Sequence, residues 1–163
     1  MRKTKIYLDT SVISHLSQED SFEKMNDTLR LWEEIKAGFY DVYISDVTFD
    51  EIDQCYEPKR TLLFSYLGEI DCSIIEVNNE IRGIAQSFVA HNILTEKSIE
   101  DCLHVACSIA NDCDMIVSWN FKHIVNMRMQ KGVKIISALT GYKETTICTP
   151  TFLVEGDESS EQA

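Results

Sequence analysis

Long apolar runs are missing from this chain: no stretch approaches the roughly 20 residues that a membrane-spanning helix needs. The first residues carry Arg2, Lys3 and Lys5 but no apolar segment of the secretory type behind them. A cytoplasmic location with no membrane partner is therefore expected. Proline is scarce, at two residues, and apolar residues make up 44%, so the bulk reads as globular. None of the six cysteines forms a C-x-x-C pair, which disfavours structural zinc; reduced cysteines acting as small buried hydrophobes fit a cytosolic chain better. Gly-rich phosphate loops of either common type are also absent. A phosphoryl-acceptor reading of Asp9 is weak for a second reason, because Ser11 stands where a second aspartate would be wanted.

Acidic residues are missing from Phe121 to Lys143, where Lys122, Arg128, Lys131, Lys134 and Lys143 are basic. The net charge of −12 argues against non-specific nucleic-acid binding by the whole surface. A basic lip on an acidic protein is nevertheless compatible with a nucleic-acid ligand. An ordinary solvated face would look the same.

With 163 residues, one domain is expected, with no repeat and no internal linker. Short β-prone runs alternate with helical patterns. Strands are predicted at Lys3–Leu8, Val42–Ser45, Cys72–Val77, Met115–Ser118 and Val133–Ile136. Helices are predicted at Ser21–Ala37 (stripe Phe22, Met25, Leu29, Trp32, Ile35; stop at Gly38), from Asp46 or Thr48 onward, and at Lys59–Glu69, Glu80–His91, Ser98–Asn111 and Lys122–Gln130, the last closed by Gly132. Such alternation implies βαβ units and a three-layer α/β/α fold with a mostly parallel sheet of four to five strands. The domain is expected to span residues 1–149. Residues 150–163 are acidic and polar and are expected to form a frayed, flexible tail.

Ligands in such folds sit at the carboxyl ends of the strands. Asp9 ends the first strand, Asn120 follows Ile116-Val117-Ser118-Trp119, Glu51 lies early in the helix after the second strand, and Asp101 lies in the first turn of the most apolar helix. Hard oxygen donors of this kind suit Mg²⁺ or Mn²⁺. Each residue also has a structural reading. Asp9 could cap the next turn, Glu51 could be a solvated helix acid, Asp101 could reach back to Ser98 in a capping box, and Asn120 could serve a turn. His104 reads as a satisfied core histidine or a partner of the acids, and His123 as a phosphate contact or a surface residue. Trp119 fits core or rim packing better than base stacking.

Taken together, Tyr7-Leu8-Asp9-Thr10-Ser11-Val12-Ile13, then Glu51, then Asp101-Cys102-Leu103-His104-Val105-Ala106, then Asp114 to His123, resemble the PIN domain family, which includes the VapC-type toxins of bacterial toxin–antitoxin pairs. The resemblance covers about residues 4 to 137. It implies a metal-dependent endoribonuclease that holds Mg²⁺ (or Mn²⁺) at Asp9, Glu51 and Asp101, with Asn120 at the fourth position of the catalytic set. Ser11, Ser118 and His104 would support these residues, and Lys122, His123 and Arg128 would contact RNA. An RNA substrate, a cognate antitoxin and a homodimer are the partners implied. Many members carry aspartate where this chain has Asn120, so a catalytically weakened module that binds RNA or protein is the alternative.

Overall fold

The computed structural model describes the backbone of residues 2–161 and the side chains of residues 2–156. Five strands form one fully parallel sheet: β1 (Thr4–Leu8), β2 (Tyr40–Ser45), β3 (Ser73–Ile75), β4 (Met115–Val117) and β5 (Thr146–Cys148), in the order β3-β2-β1-β4-β5. The chain runs outward from β1 to β3, then returns to the other side of β1 to lay down β4 and β5. The order thus reverses between β1 and β4, which is where an open α/β sheet forms its ligand crevice.

β1 is central and buried on both faces, as its apolar run predicts. Alternation sends Ile6 and Leu8 into one core and Tyr7 into the other. The first core holds α1 (Thr10–His15), α2 (Phe22–Lys36), α3 (Asp46–Asp53), α4 (Lys59–Leu67) and the start of α8 (Pro150–Glu161). The second is built from α5 (Asn79–Ala90), α6 (Ile99–Ala110) and α7 (Met127–Thr140). Three layers result, as expected.

Two stretches depart from the sequence prediction. Residues 122–126 of the proposed helix at Lys122–Gln130 are turns and bends, while its end and the proposed strand at Val133–Ile136 belong to one helix, α7, and the last strand is Thr146–Cys148. Met129, Val133 and Ile136 are buried at helical spacing, and Asn126 caps the helix by accepting from the Met129 amide at 2.9 Å. Gly132 does not stop the helix; it lets α7 approach Ile93, because a Cβ there would stand 2.8 Å from that side chain. The true stop is Gly141, at φ +81. Gly38, at φ +85, ends α2 as predicted.

The second departure concerns only the start of the 150–163 segment, residues 150–156. The chain does not fray after Thr149: it forms α8, whose Leu153 and Val154 are buried in the first core. Thr151 donates to Asp27 of α2 at 2.6 Å, which fixes the helix start. The short apolar pair Leu153-Val154 is enough to dock the helix although the following residues are acidic. The side chains of that acidic end, Asp157, Glu158 and Glu161, lie outside the described residues, as do positions 162 and 163 altogether.

Candidate active site

Four elements deliver the predicted residues to the crevice beside β1 and β4. Asp9 leaves β1 and caps α1: its Oδ1 accepts from the Ser11 amide at 2.8 Å and from the Ser11 hydroxyl, while its Oδ2 accepts from Ser118 Oγ at 2.8 Å. The capping role of Asp9 is thus observed, and the cap leaves its carboxylate in the crevice beside Ser118. Only 3% of Asp9 is exposed. Burial pushes its carboxyl up from the ordinary value, and the nearby His104 and the hydroxyl donors pull it only part of the way back.

Glu51 sits on the second turn of α3. Its Oε1 receives Thr10 Oγ1 at 3.0 Å and pairs with His104 Nε2. Burial disfavours the charge of Glu51, but the His104 contact and the Thr10 hydroxyl prevail and hold its carboxyl below the usual range. His104, one turn after the start of α6, is buried, and burial alone would lower its pKa. Its bond to Glu51 and the charges of Asp9, Glu51 and Asp101 outweigh that and raise it. One imidazole is thus the electrostatic neighbour of all three carboxylates. His104 Nδ1 is fixed at 2.6 Å by the Tyr7 hydroxyl, which in turn lies 2.7 Å from Ser45 Oγ.

Asp101 does not form the capping box. Its Oδ1 accepts from Asn120 Nδ2 at 3.1 Å and its Oδ2 meets His123 Nδ1 at 2.8 Å, while Ser98 makes no side-chain cap. Asn120 closes the circle: its backbone amide donates to Ser118 Oγ at 2.9 Å, and its Oδ1 accepts from the His123 amide at 3.0 Å. A carboxylate at position 120 would face Asp101 with like charge, whereas the amide offers it a donor.

Asp9, Glu51, Asp101, Asn120, Ser11, Ser118 and His104 are therefore brought together. His123 joins them through Asp101 and is not a free surface residue. Lys122 and Arg128 lie nearby in sequence and are exposed. Sequence reasoning missed Thr10, Tyr7 and Ser45. The signal for Tyr7 was present: a tyrosine inside a central strand must find a partner for its hydroxyl. Asp114, which the sequence places at the wrong end of its strand to serve the site, is indeed remote: it binds Arg2, Lys143 and the Lys5 amide. A cleft of about 520 Å³ also lies away from the acidic set, where β1, β2 and β3 begin (Lys3, Tyr40, Ser73).

The PIN domain family model matches residues 6–121, well over half of the chain and all of the set just described except His123. The chain belongs to the PIN domain family. Among solved structures, this PIN domain is similar to VapBC2 from Rickettsia felis bound to a DNA fragment from their promoter, at 14% identity and a TM-score of 0.59, covering 90% of this chain and 98% of that one. It is also similar to Mycobacterium tuberculosis VapC20, a Sarcin-Ricin loop cleaving toxin, at 16% identity and a TM-score of 0.56, covering 86% and 98%. Both likenesses are of fold. No curated protein sequence matches this PIN domain.

The donor set bears on which cation the crevice suits. Among the described residues no three His, Cys, Asp or Glu side chains stand together as a ready metal cage. Mg²⁺ keeps several waters and takes only one or two carboxylates, so hard oxygens spread around a crevice fit a hydrated ion and not a dehydrated one. A buried carboxylate such as Asp9, pushed up by desolvation, gains most from a neighbouring cation.

Proposed function

We propose that this PIN domain is a Mg²⁺- or Mn²⁺-dependent endoribonuclease, the toxin of a type II toxin–antitoxin pair, and that it works in the cytoplasm. The observation that carries this reading is a bonded chain of side chains: Asp9 accepts from Ser118, Ser118 accepts from the Asn120 amide, Asn120 donates to Asp101, and Glu51 is held beside them by Thr10 and His104, so acids from three separate elements meet in one crevice. Membership of the family, and likeness of fold to a toxin that cleaves RNA, support the same substrate class.

Asp9 and Asp101, with Glu51, would hold the ion. When bound, the ion supplies Lewis-acid polarisation of the phosphodiester and a more acidic water. The chain's own residues do the remaining work. Ser11 and Ser118 occupy Asp9 with donors and fix its rotamer. His104 and Thr10 keep Glu51 ionised and aimed, so that it can orient the attacking water. Asn120 and His123 steady Asp101. Lys122 and Arg128 supply positive charge for the phosphate backbone, which an acidic protein otherwise repels. Pairing with an antitoxin and homodimer formation belong to the same proposal; the VapBC2 likeness supports the first.

Purified protein should cleave total RNA when Mg²⁺ or Mn²⁺ is added, and Asp101→Asn should lower the rate at least 100-fold. Wild-type protein that leaves RNA intact with either ion would overturn the reading. That no carboxylate cage stands ready among the described residues favours a second reading, a catalytically weakened module that binds RNA or protein.

A further inference from the structure

Phe22 and Phe121 are large apolar side chains left in solvent, 64% and 48% exposed. Phe22 heads the apolar stripe that the sequence of α2 predicts, yet the helix turns Thr28, Leu31, Trp32 and Ile35 inward and leaves Phe22 outside. Phe121 directly follows Asn120, whose side chain is bonded to Asp101. Its ring lies 6.3 Å from that of Trp119. Trp119 is nearly buried and held on both sides: its indole donates to Thr28 Oγ1 at 2.8 Å, and its amide donates at 2.9 Å to the Ser11 hydroxyl, which in turn donates to Asp9.

A cation joins these rings. Lys24 Nζ stands 5.0 Å from the centre of the Phe121 ring and 5.6 Å from that of Trp119. Lys24 and Phe22 also line one shallow recess of about 280 Å³ with Ser21 and Glu23. Scattered exposed aromatics need no explanation. An exposed ring set on a fixed indole, with an ammonium over it, one residue from a bonded site residue, does. Electrostatics supplies the second argument. A chain of net charge −12 limits what phosphate contacts outside its few basic residues can add to RNA affinity. Stacking of bases on rings is independent of that charge, and it requires bases that are unpaired.

We propose that Phe121, backed by Trp119 and flanked by Lys24, is a stacking platform for an unpaired nucleotide of an RNA strand threaded past the acidic set. Lys24 contacts the adjoining phosphate. Phe121 is a substrate-positioning residue, and the preference it confers is for single-stranded RNA over duplex. This inference rests on the ribonuclease reading for its choice of ligand.

Binding of a short labelled single-stranded oligoribonucleotide is measured by anisotropy with the full chain in EDTA, and cleavage of the same strand is measured separately with Mn²⁺. Phe121→Leu, which keeps apolar bulk at a half-exposed position, should weaken binding about ten-fold or more. Phe121→Trp should restore it, and KM should rise with kcat little changed. The log–log dependence of affinity on salt should be shallow, and Lys24→Met should reduce its slope by about 0.7. The matching RNA duplex should bind weakly and indifferently to Phe121→Leu. If wild-type protein cleaves and Phe121→Leu has the same Kd and KM, the platform is overturned while the nuclease reading stands, and the surface is left to a protein partner. If wild type binds the strand through Phe121 but cuts nothing, the platform stands and the nuclease reading falls. If wild type neither binds nor cuts, both fall.

Discussion

Asp9 serves two purposes with one carboxylate: it caps α1 and it belongs to the acidic set. Its oxygens receive an amide and two hydroxyls in a nearly water-free place. An asparagine there would set an NH₂ group against one of those donors. Asp9→Asn should therefore abolish cleavage and also cost about 1–2 kcal/mol of stability, read as a lower urea midpoint at unchanged slope. Loss of cleavage at full stability would remove the capping part of this account. Asp114, far from the site, offers a pH test. Partial burial opposes its charge, but Lys143, the Lys5 amide and Arg2 prevail and hold its carboxyl below the ordinary value. A depressed folded-state pKa stabilises the fold above the unfolded pKa, and that stabilisation disappears as pH falls through the folded one. Wild type should thus lose stability more steeply than Asp114→Asn below about pH 4. Parallel pH–stability curves for the two proteins would sink the prediction. At this scale the sequence was legible wherever a residue had to be of one chemical type, as with the acids at strand and helix ends. It was not legible for Asp101, whose local spacing suited a capping box equally well. Only the arrival of Asn120 and His123 decided between the two readings.

Elements were legible in proportion to their length and the regularity of their apolar pattern. α5 and α6 fall where Ile81, Ile84, Ala85 and Phe88, and then Cys102, Val105, Ala106 and Ile109, recur at helical spacing. The Val133–Ile136 run has the composition of a strand, and local preference pointed there. The structure makes it helix because Asn126 supplies a cap, Gly141 supplies the exit, and the second core needs Met129, Val133 and Ile136 on one stripe. Gly132 is the element-scale test of that packing. Alanine is a better helix former than glycine by about 1 kcal/mol, but its Cβ would collide with buried Ile93. Overpacking costs about 1–3 kcal/mol, so Gly132→Ala should be net destabilising by about 1 kcal/mol in a thermal melt. Gly132→Ala with Ile93→Val should recover part of the loss. A stabilising single substitution would show that α7 and Ile93 are not in contact.

For the whole molecule, the sheet order decides where chemistry can happen. Reversal between β1 and β4 opens the crevice, and every predicted acid ends beside it although positions 9, 51 and 101 lie on β1's exit, α3 and α6. Like charges held in one crevice repel, and a bound cation relieves that repulsion only in the folded state. Added Mn²⁺ should accordingly raise the melting temperature. At a free ion concentration of roughly ten times Kd the gain is about 1.4 kcal/mol, a shift of about 2–4 °C per kcal/mol for a chain of this size. Asp101→Asn should blunt the shift. A melting temperature indifferent to millimolar Mn²⁺ would favour the binding-module alternative.

The sequence alone determined the alternation of strands and helices, the parallel sheet, the identities of the acids and the family they resemble. These follow from local pattern and residue chemistry, which are written along the chain. Tertiary structure alone decided that Tyr7 and Ser45 hold His104, that His104 pairs with Glu51, that Phe22 and Phe121 stay outside, and that the start of α8 docks through Leu153 and Val154. Each of these depends on which side chains meet across the folded layers, and such meetings have no fixed spacing in the sequence.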